Sequence, residues 1–118
     1  MARWTNWRKL ADKNYWYDDE FDHEGPACYE LGIGGPRYGN IQPYYVGETG
    51  NEKKRLSAYA RHGSHLSDII EDHLKRGFTL YYRAQAMPSK KAAERMQNNL
   101  LDHHEYDWNI QLNIKEED

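Results

Sequence analysis

Two stretches decide the fold of this protein: residues 27–33, with the sequence ACYELGI, and residues 42–48, with the sequence QPYYVGE. Each is a short apolar and aromatic run, which is typical of a β-strand. A Gly-Pro pair precedes the first run, and a connection rich in glycine, 34–41, separates the two. Because this connection is short, the two strands are expected to pair as antiparallel neighbours.

Downstream of these runs, the spacing of apolar residues and the capping residues predict three helices, one strand and a tail. They are a helix from Glu52 to Arg61 capped by Asn51, a helix capped by Ser64 that runs to Lys75 and stops at Gly77, a strand from Phe78 to Ala86, a helix capped by Ser89 that runs to about His103, and an extended tail from Trp108 to Ile114.

The order of these elements predicts an α/β protein of the α+β type, with a small, three-stranded, mainly antiparallel sheet flanked by about three helices. A length of 118 residues is that of one compact domain. We interpret residues 1–24 as an aromatic and acidic N-terminal arm and residues 25–118 as the folded domain. Within the arm, Thr5 is expected to cap a short helix with its apolar residues on one side, namely Trp4, Trp7 and Leu10 or Ala11.

Charge is distributed unevenly along the chain. The formal net charge is -3, which by itself argues against a nucleic-acid partner. Residues 53–95, however, contain ten basic side chains against four acidic ones, and the remaining acids concentrate near the two ends. Because the distribution of charge governs association with phosphates more than the total does, a nucleic-acid-binding surface in the middle of the chain is possible.

Cysteine content and hydropathy exclude several classes of protein. Cys28 is the only cysteine, so neither an intramolecular disulfide nor a metal site built on several thiolates can form. No apolar run approaches the length of a membrane span, and no basic leader precedes one. We therefore expect a cytoplasmic protein without a membrane partner.

Residues 27–29, ACY, and 45–47, YVG, resemble the paired tripeptides of the GIY-YIG endonucleases. The second tripeptide is a nearly literal match, and in the first only the tyrosine is kept. Four later residues follow in the family's order, namely Arg55, Tyr59, Glu94 and Asn109. The resemblance covers roughly residues 25–113. It is to the compact, stand-alone phage and restriction members, and a phage-encoded nuclease would act in the host cytoplasm.

This resemblance implies metal-dependent hydrolysis of DNA phosphodiester bonds, with Mg²⁺ or Mn²⁺ as cofactor. It makes Glu94 the metal ligand, Tyr29 the general base that activates water, and Tyr45 the partner of Tyr29. A free phenol has a pKa of about 10. Tyr29 therefore needs nearby positive charge, from Arg55 or the metal, to become a phenolate.

Further groups are expected to contact the substrate. Arg55 and Tyr59 are four residues apart on one helix face, so both can reach one phosphate. By the resemblance, Asn109 braces the site. The candidates for additional DNA contacts are Lys53, Lys54, Arg61 and His62. A zinc site at His62 and His65 is not favoured, because Gly63 interrupts the helix between them.

Glu48 departs from the family, in which a lysine often follows the second tripeptide directly. Either Glu48 adds a second metal ligand, or Lys53 or Lys54 supplies the missing cation, and the sequence leaves both open. For Glu94 the alternative is a surface ion pair with Lys90 or Lys91.

For the whole protein, the alternative function is a catalytically weak nucleic-acid-binding module. A third interpretation makes the arm a protein-binding or self-inhibiting segment. Monomer and homodimer both remain open.

Overall fold

The computed structural model describes residues 3–17, 23–35, 40–60 and 65–110. Its regular elements, in chain order, are β1 (Arg8–Ala11), β2 (Ala27–Gly34), β3 (Gln42–Thr49), α1 (Glu52–Ala60), α2 (Ser67–Lys75), β4 (Thr79–Ala86) and α3 (Lys90–His103). Residues 107–110 add a short helical segment. Within these ranges, no helix has the length and apolar character needed to cross a membrane.

The four strands form one antiparallel sheet in the order β1-β4-β2-β3. This confirms the predicted α+β class and adds a fourth strand to the three expected. All eight residues of β2 are buried, because its two faces are both covered. Tyr29, Leu31 and Ile33 pack with apolar residues of α1 and α2. Cys28 lies on the other face, in a cluster with residues of α3.

The additional strand is β1, and the prediction of a helix after Thr5 is wrong. Arg8 pairs with Tyr82 of β4. The backbone N–H of Thr5 donates to the carbonyl of Ala84 at 2.8 Å, and the Ala84 N–H donates to the Thr5 hydroxyl at 3.1 Å. Without β1, β4 would expose a row of unpaired backbone groups, and satisfying that edge outweighs a weak local preference for helix.

The two tryptophans near the N-terminus are held by a buried charge network. The guanidinium of Arg83 lies 4.7 Å from the ring centre of Trp4 and 4.6 Å from that of Trp7. Its Nε donates to the carboxylate of Glu30 at 2.6 Å, and the hydroxyl of Tyr106 donates to the same carboxylate. This cation–π sandwich fixes the N-terminal segment on the α3 face of the sheet.

The predicted helix signals are largely confirmed. The Asn51 side chain accepts from the Lys54 N–H at 3.0 Å at the start of α1, and the Ser89 hydroxyl accepts from the Ala92 N–H at 3.1 Å at the start of α3. Gly77 has a φ of 90°, a left-handed conformation that glycine adopts without strain after a helix. Helix α2 begins at Ser67, and the expected cap Ser64 lies outside the described residues.

The extended tail is wrong for residues 108–110, which are helical. The N–H of Ile110 donates to the carbonyl of Tyr106 at 3.1 Å. This turn buries Trp108 against the rings of Tyr44 and His73, whose centres lie 5.5 and 5.4 Å away. The alternation of apolar residues was therefore a misleading signal, because one large buried indole decides the local conformation. The rest of the predicted tail lies outside the described residues.

One end of the sheet collects the starts of two helices. Ala27, the first residue of β2, pairs with Thr49 at the end of β3 and with Ala86 at the end of β4. Helix α1 follows β3 after two residues, and α3 follows β4 after three. The first turns of α1 and α3 therefore flank the start of β2, one on each face of the sheet.

Candidate active site

Tyr29 and Tyr59, here called the tyrosine pair, form the buried half of the site. Their hydroxyl oxygens are 2.7 Å apart, and the two residues are 1% and 2% exposed. Tyr29 pairs with Gly47 across the strands. A Cβ on Gly47 would lie 2.5 Å from the Tyr29 hydroxyl, which is closer than real Cβ atoms approach. The lack of a side chain at Gly47 of the YVG tripeptide thus leaves the space that the Tyr29 phenol occupies.

The environment of Tyr29 keeps its phenol neutral. Burial raises the pKa of Tyr29 well above its ordinary value, the neighbouring Tyr59 and Tyr45 raise this pKa further, and Arg55 lowers it by a smaller amount. Arg55 thus acts in the direction expected from the sequence but is outweighed. Burial therefore favours the neutral, hydrogen-bonding phenol of Tyr29 over the phenolate.

Tyr45 lies between this buried pair and the surface. It is half-buried, and its ring centre is 6.2 Å from that of Tyr29 and 6.4 Å from that of His65. Since Tyr29, Tyr45 and Tyr59 come from two strands and a helix, the fold brings together three of the tyrosines that the sequence singled out.

Arg55 lies at the surface in the first turns of α1. It lines an open cleft of about 370 Å³ together with Thr49, Gly50, Asn51, Lys54 and Ala58. Lys54 therefore joins Arg55 at this cleft. Lys53 is exposed and lines a neighbouring hollow with Glu24 and Ser57. Arg61 and His62 lie outside the described residues.

Glu48 and Glu94, here called the carboxylate pair, face each other from β3 and α3. The ammonium of Lys90 lies 3.0 Å from Glu94 Oε1 and 3.3 Å from Glu48 Oε1. The side chains of Lys90, Glu48 and Glu94 are 58%, 18% and 48% exposed. Hydrogen bonds to Glu94 and then Glu48 raise the pKa of Lys90. Lys90 was expected only as a surface partner of Glu94, and its contact with Glu48 could not be seen in the sequence.

One oxygen of the carboxylate pair has no hydrogen-bond partner among the described residues. Glu48 Oε2 is buried and makes no hydrogen bond within the described part of the chain. A buried, unpaired carboxylate oxygen is costly unless a cation or donor compensates it. The same described ranges contain no cluster of three or more histidine, cysteine or acidic residues arranged to hold a metal. A metal at this position would therefore rely on two carboxylates and on oxygens of water or substrate.

Gly50 connects the two halves of the site. It lines the cleft of Arg55, and a Cβ on Gly50 would lie 3.7 Å from Lys90 Cδ. The side chains of consecutive strand residues point to opposite faces. Glu48 therefore faces α3, whereas Gly47 receives Tyr29 on the face of α1. The cleft and the carboxylate pair border the same end of the sheet.

The side chain of Asn109 holds the edge strand β3 by hydrogen bonds to the backbone of Val46. Its side-chain oxygen accepts from the Val46 N–H at 2.8 Å, and its amide donates to the Val46 carbonyl at 2.9 Å. The carboxamide thus replaces the missing neighbouring strand at one residue of the edge. Since Val46 lies between Tyr45 and Gly47, Asn109 fixes the strand that carries both. In this geometry Asn109 positions β3, and its bracing role in the site stays a prediction.

Comparison with known proteins places this geometry in a family. A family model described as GIY-YIG domain-containing protein matches residues 4–118. Protein EFFECTOR OF TRANSCRIPTION 3 of Arabidopsis thaliana is 33% identical over 129 residues, which cover 89% of this chain and 49% of the relative. Protein EFFECTOR OF TRANSCRIPTION 2 of the same plant is 26% identical over 147 residues, which cover 89% of this chain and 30% of the relative. No solved structure matches the chain.

The two relatives are longer proteins, and the chain spans about half the length of one and less than a third of the other. Both are plant proteins, so they give no support to the phage or restriction likeness. The family model, in contrast, covers β1 as well as the two tripeptides and all four later residues of the motif. The chain belongs to the GIY-YIG domain family.

Proposed function

We propose that this protein is a metal-dependent endonuclease that hydrolyses DNA phosphodiester bonds at the end of the sheet between α1 and α3. The observation that carries this proposal is that Arg55 and the tyrosine pair, on the α1 side of the sheet, and Glu94, on the α3 side, all lie toward the end where the first turns of α1 and α3 flank the start of β2. The four residues come from three elements that are distant in the sequence. A guanidinium, a carboxylate and hydroxyls are the groups that phosphodiester hydrolysis needs for the phosphate, the metal and the water.

The carboxylate pair fits a divalent cation. Two carboxylates from different elements already share one positive group, and Glu48 Oε2 is buried with no hydrogen-bond partner among the residues that the structure describes. Mg²⁺ prefers oxygen ligands and often keeps several waters, so Glu94 and Glu48 would hold it without a third protein ligand. When bound, Mg²⁺ or Mn²⁺ would lower the pKa of a water molecule and neutralise charge on the phosphate. Glu48 is then a second ligand and not a defect.

The chain's own residues supply the rest of the reaction. Arg55 donates from the cleft to the non-bridging phosphate oxygens. Tyr29, held neutral by burial, accepts a proton from the attacking water only as its own proton passes to Tyr59 along their 2.7 Å hydrogen bond. Because Tyr59 is itself only 2% exposed, its proton would leave through a water molecule in the site and not directly to bulk solvent. The water oxygen bonds to phosphorus, the P–O ester bond breaks, and the leaving oxygen takes a proton from solvent.

DNA reaches this site through the open cleft. Lys54 borders the cleft and Lys53 lies beside it, so both are proposed to contact neighbouring phosphates. Arg61 and His62, which follow Ala60 in the sequence and lie outside the described residues, are proposed for the same role. One such site cuts one strand, so a monomer would nick duplex DNA, and two cuts would require a homodimer or two separate events.

The test is nicking of supercoiled plasmid with Mg²⁺ or Mn²⁺, with a chelator as the negative control. Glu94→Gln and Arg55→Ala should each remove nicking while leaving the fold intact by circular dichroism. Asp72→Asn is the matched control, because Asp72 is an exposed carboxylate in an i,i+4 ion pair with Arg76 on α2. Binding of plasmid, branched DNA and RNA without any cleavage would refute the proposal.

A second candidate function is a nucleic-acid-binding module that does not cleave. Two observations favour it: Lys90 engages the proposed metal ligand Glu94, and the pKa of Tyr29 is raised. The names of the two relatives refer to transcription, which is compatible with binding DNA without cutting it. Binding that weakens steeply with salt and is unaffected by Glu94→Gln would support this candidate.

A further inference from the structure

We propose that Lys90 is an internal counter-cation of the carboxylate pair, which a divalent metal must displace, so that Lys90 sets the metal affinity of the site. This inference rests on the proposed metal site. It deepens that proposal, because it assigns to a residue outside the family's motif the role of competing with the metal for the carboxylate pair.

The contact of Lys90 with Glu48 joins two elements that are distant in the sequence. An ion pair between residues four apart on a helix, such as Lys90 with Glu94, is common and has little consequence. Glu48, however, lies on β3, 42 residues away in the chain. An ammonium that bridges a strand carboxylate and a helix carboxylate stands between the two groups that would ligate a metal, and two like charges this close favour a cation between them.

A metal ion can displace the Lys90 ammonium from its position between Glu48 and Glu94. Lys90 is 58% exposed, and exposed ion pairs contribute little to stability. Gly50 does not clamp its flexible stem, because even a Cβ added at Gly50 would lie 3.7 Å from Lys90 Cδ, so the side chain can withdraw into solvent without moving the backbone. The ammonium also leaves Glu48 Oε2 without a hydrogen bond in the described part of the chain. The lysine reaches one oxygen of each carboxylate, and a doubly charged ion would offset more of the pair's negative charge than its single charge does.

The net charge of Lys90, Glu48 and Glu94 depends on the position of the lysine. With Lys90 in place, the group of three side chains carries a net charge of about -1, and with Lys90 withdrawn the carboxylate pair presents about -2. A divalent ion is attracted more strongly by the second arrangement. Removing the lysine charge should therefore tighten metal binding, and keeping the charge as arginine should not.

The experiment measures Mn²⁺ binding by the loss of the free-ion signal in electron paramagnetic resonance, using the full chain without DNA. Lys90→Gln should lower the Kd for Mn²⁺ by about tenfold, the order expected from losing one neighbouring positive charge. Lys90→Arg should leave the Kd within about twofold of the wild type. Lys91→Gln is the matched control, because Lys91 is the next exposed lysine of α3 and forms no ion pair within the described residues.

The outcomes separate this inference from the proposed function. An unchanged or weaker affinity in Lys90→Gln overturns the inference even if the wild type nicks DNA. An equal gain in Lys91→Gln overturns it too, because the effect would then be one of net charge. A tighter Kd in Lys90→Gln alone supports the inference even if no variant cleaves DNA. Glu48→Gln in the Lys90→Gln background should reverse the gain, and failure to do so would place the metal elsewhere.

Discussion

The tyrosine pair and the carboxylate pair hold their groups at one end of the sheet by different means. The tyrosine pair is almost fully buried, and Gly47 leaves the space that the Tyr29 phenol fills. The carboxylate pair is partly exposed, and a charged contact with Lys90 joins it. Close packing fixes a group tightly, whereas an exposed ion pair exchanges partners easily. One region is suited to fixed geometry and the other to an exchangeable cation.

The sharpest test of this contrast uses one conservative change in each region. Tyr29→Phe and Glu94→Gln should each lower nicking by about 100-fold or more, the usual scale for losing a group that handles a proton or a metal. Urea unfolding should differ between them. Tyr29→Phe should cost about 1 kcal/mol, because Tyr59 loses its buried partner, while Glu94→Gln should lie within about 0.5 kcal/mol of the wild type. Equal stability costs would remove the distinction between the regions.

Gly47→Ala should have the largest effect on stability. The new methyl group would lie 2.5 Å from the Tyr29 hydroxyl, and overpacking of this kind costs about 1–3 kcal/mol. Gly50→Ala is the matched control, because its methyl group meets Lys90 Cδ at 3.7 Å and should change the unfolding free energy by less than about 0.5 kcal/mol. Similar denaturation midpoints for the two variants would contradict the close contact at Gly47.

Asn109→Ala should loosen the edge strand that joins the two regions. It removes both hydrogen bonds to the Val46 backbone, at a cost of about 1–2 kcal/mol. Hydrogen exchange of the Val46 amide, followed by NMR, should accelerate markedly. The exposed Asn98→Ala on α3 serves as the control and should leave that exchange rate unchanged. A Val46 amide that stays protected in Asn109→Ala would mean that the strand needs no such brace.

The smallest expected effect is a loss of stability at high pH. It involves both faces of β2, because Cys28 lies on the α3 face and Tyr29 on the α1 face. Burial, and then the charges of Glu30 and Glu48, raise the pKa of Cys28 from 9.0 to about 12. The thiol therefore ionises in the unfolded chain before it ionises in the folded one. Its contribution to stability is complete below pH 9 and is lost as the pH rises from about 9 toward 12.

Urea titrations at pH 8 and pH 10 measure this loss, which for Cys28 should be about 1 kcal/mol. Cys28→Ala should lessen the decline, and the decline that remains belongs to buried phenols such as Tyr29, whose pKa is raised as well. An identical decline in Cys28→Ala and the wild type would show that the thiol is not involved.

Local physical chemistry made much of the fold predictable from the sequence. The apolar runs at 27–33 and 42–48 became β2 and β3, with α1 following from its Asn51 cap and α3 from its Ser89 cap. Apolar runs and helix caps act over a few neighbouring residues, so a short stretch of sequence is enough to predict these elements. The order of motif residues from Tyr29 to Asn109 was visible in the same way, and it sufficed to indicate the family.

Contacts between distant residues decided what the sequence analysis missed. β1 forms because the edge of β4 needs backbone partners, and residues 107–110 turn into a helix because Trp108 is buried against Tyr44 and His73. Neither cause lies within a few residues of the element it shapes. Local propensity is a weak preference, and tertiary hydrogen bonds and burial override it.

The sequence by itself determined the family, most of the main elements and the motif residues from Tyr29 to Asn109 that are proposed for the site. Only the tertiary structure decided their states: a Tyr29 phenol held neutral by burial, a Gly47 that makes room for it, and a Lys90 that lies between Glu48 and Glu94. The physical reason is that pKa, close approach and charge pairing depend on distances through space, which residue spacing along the chain does not specify.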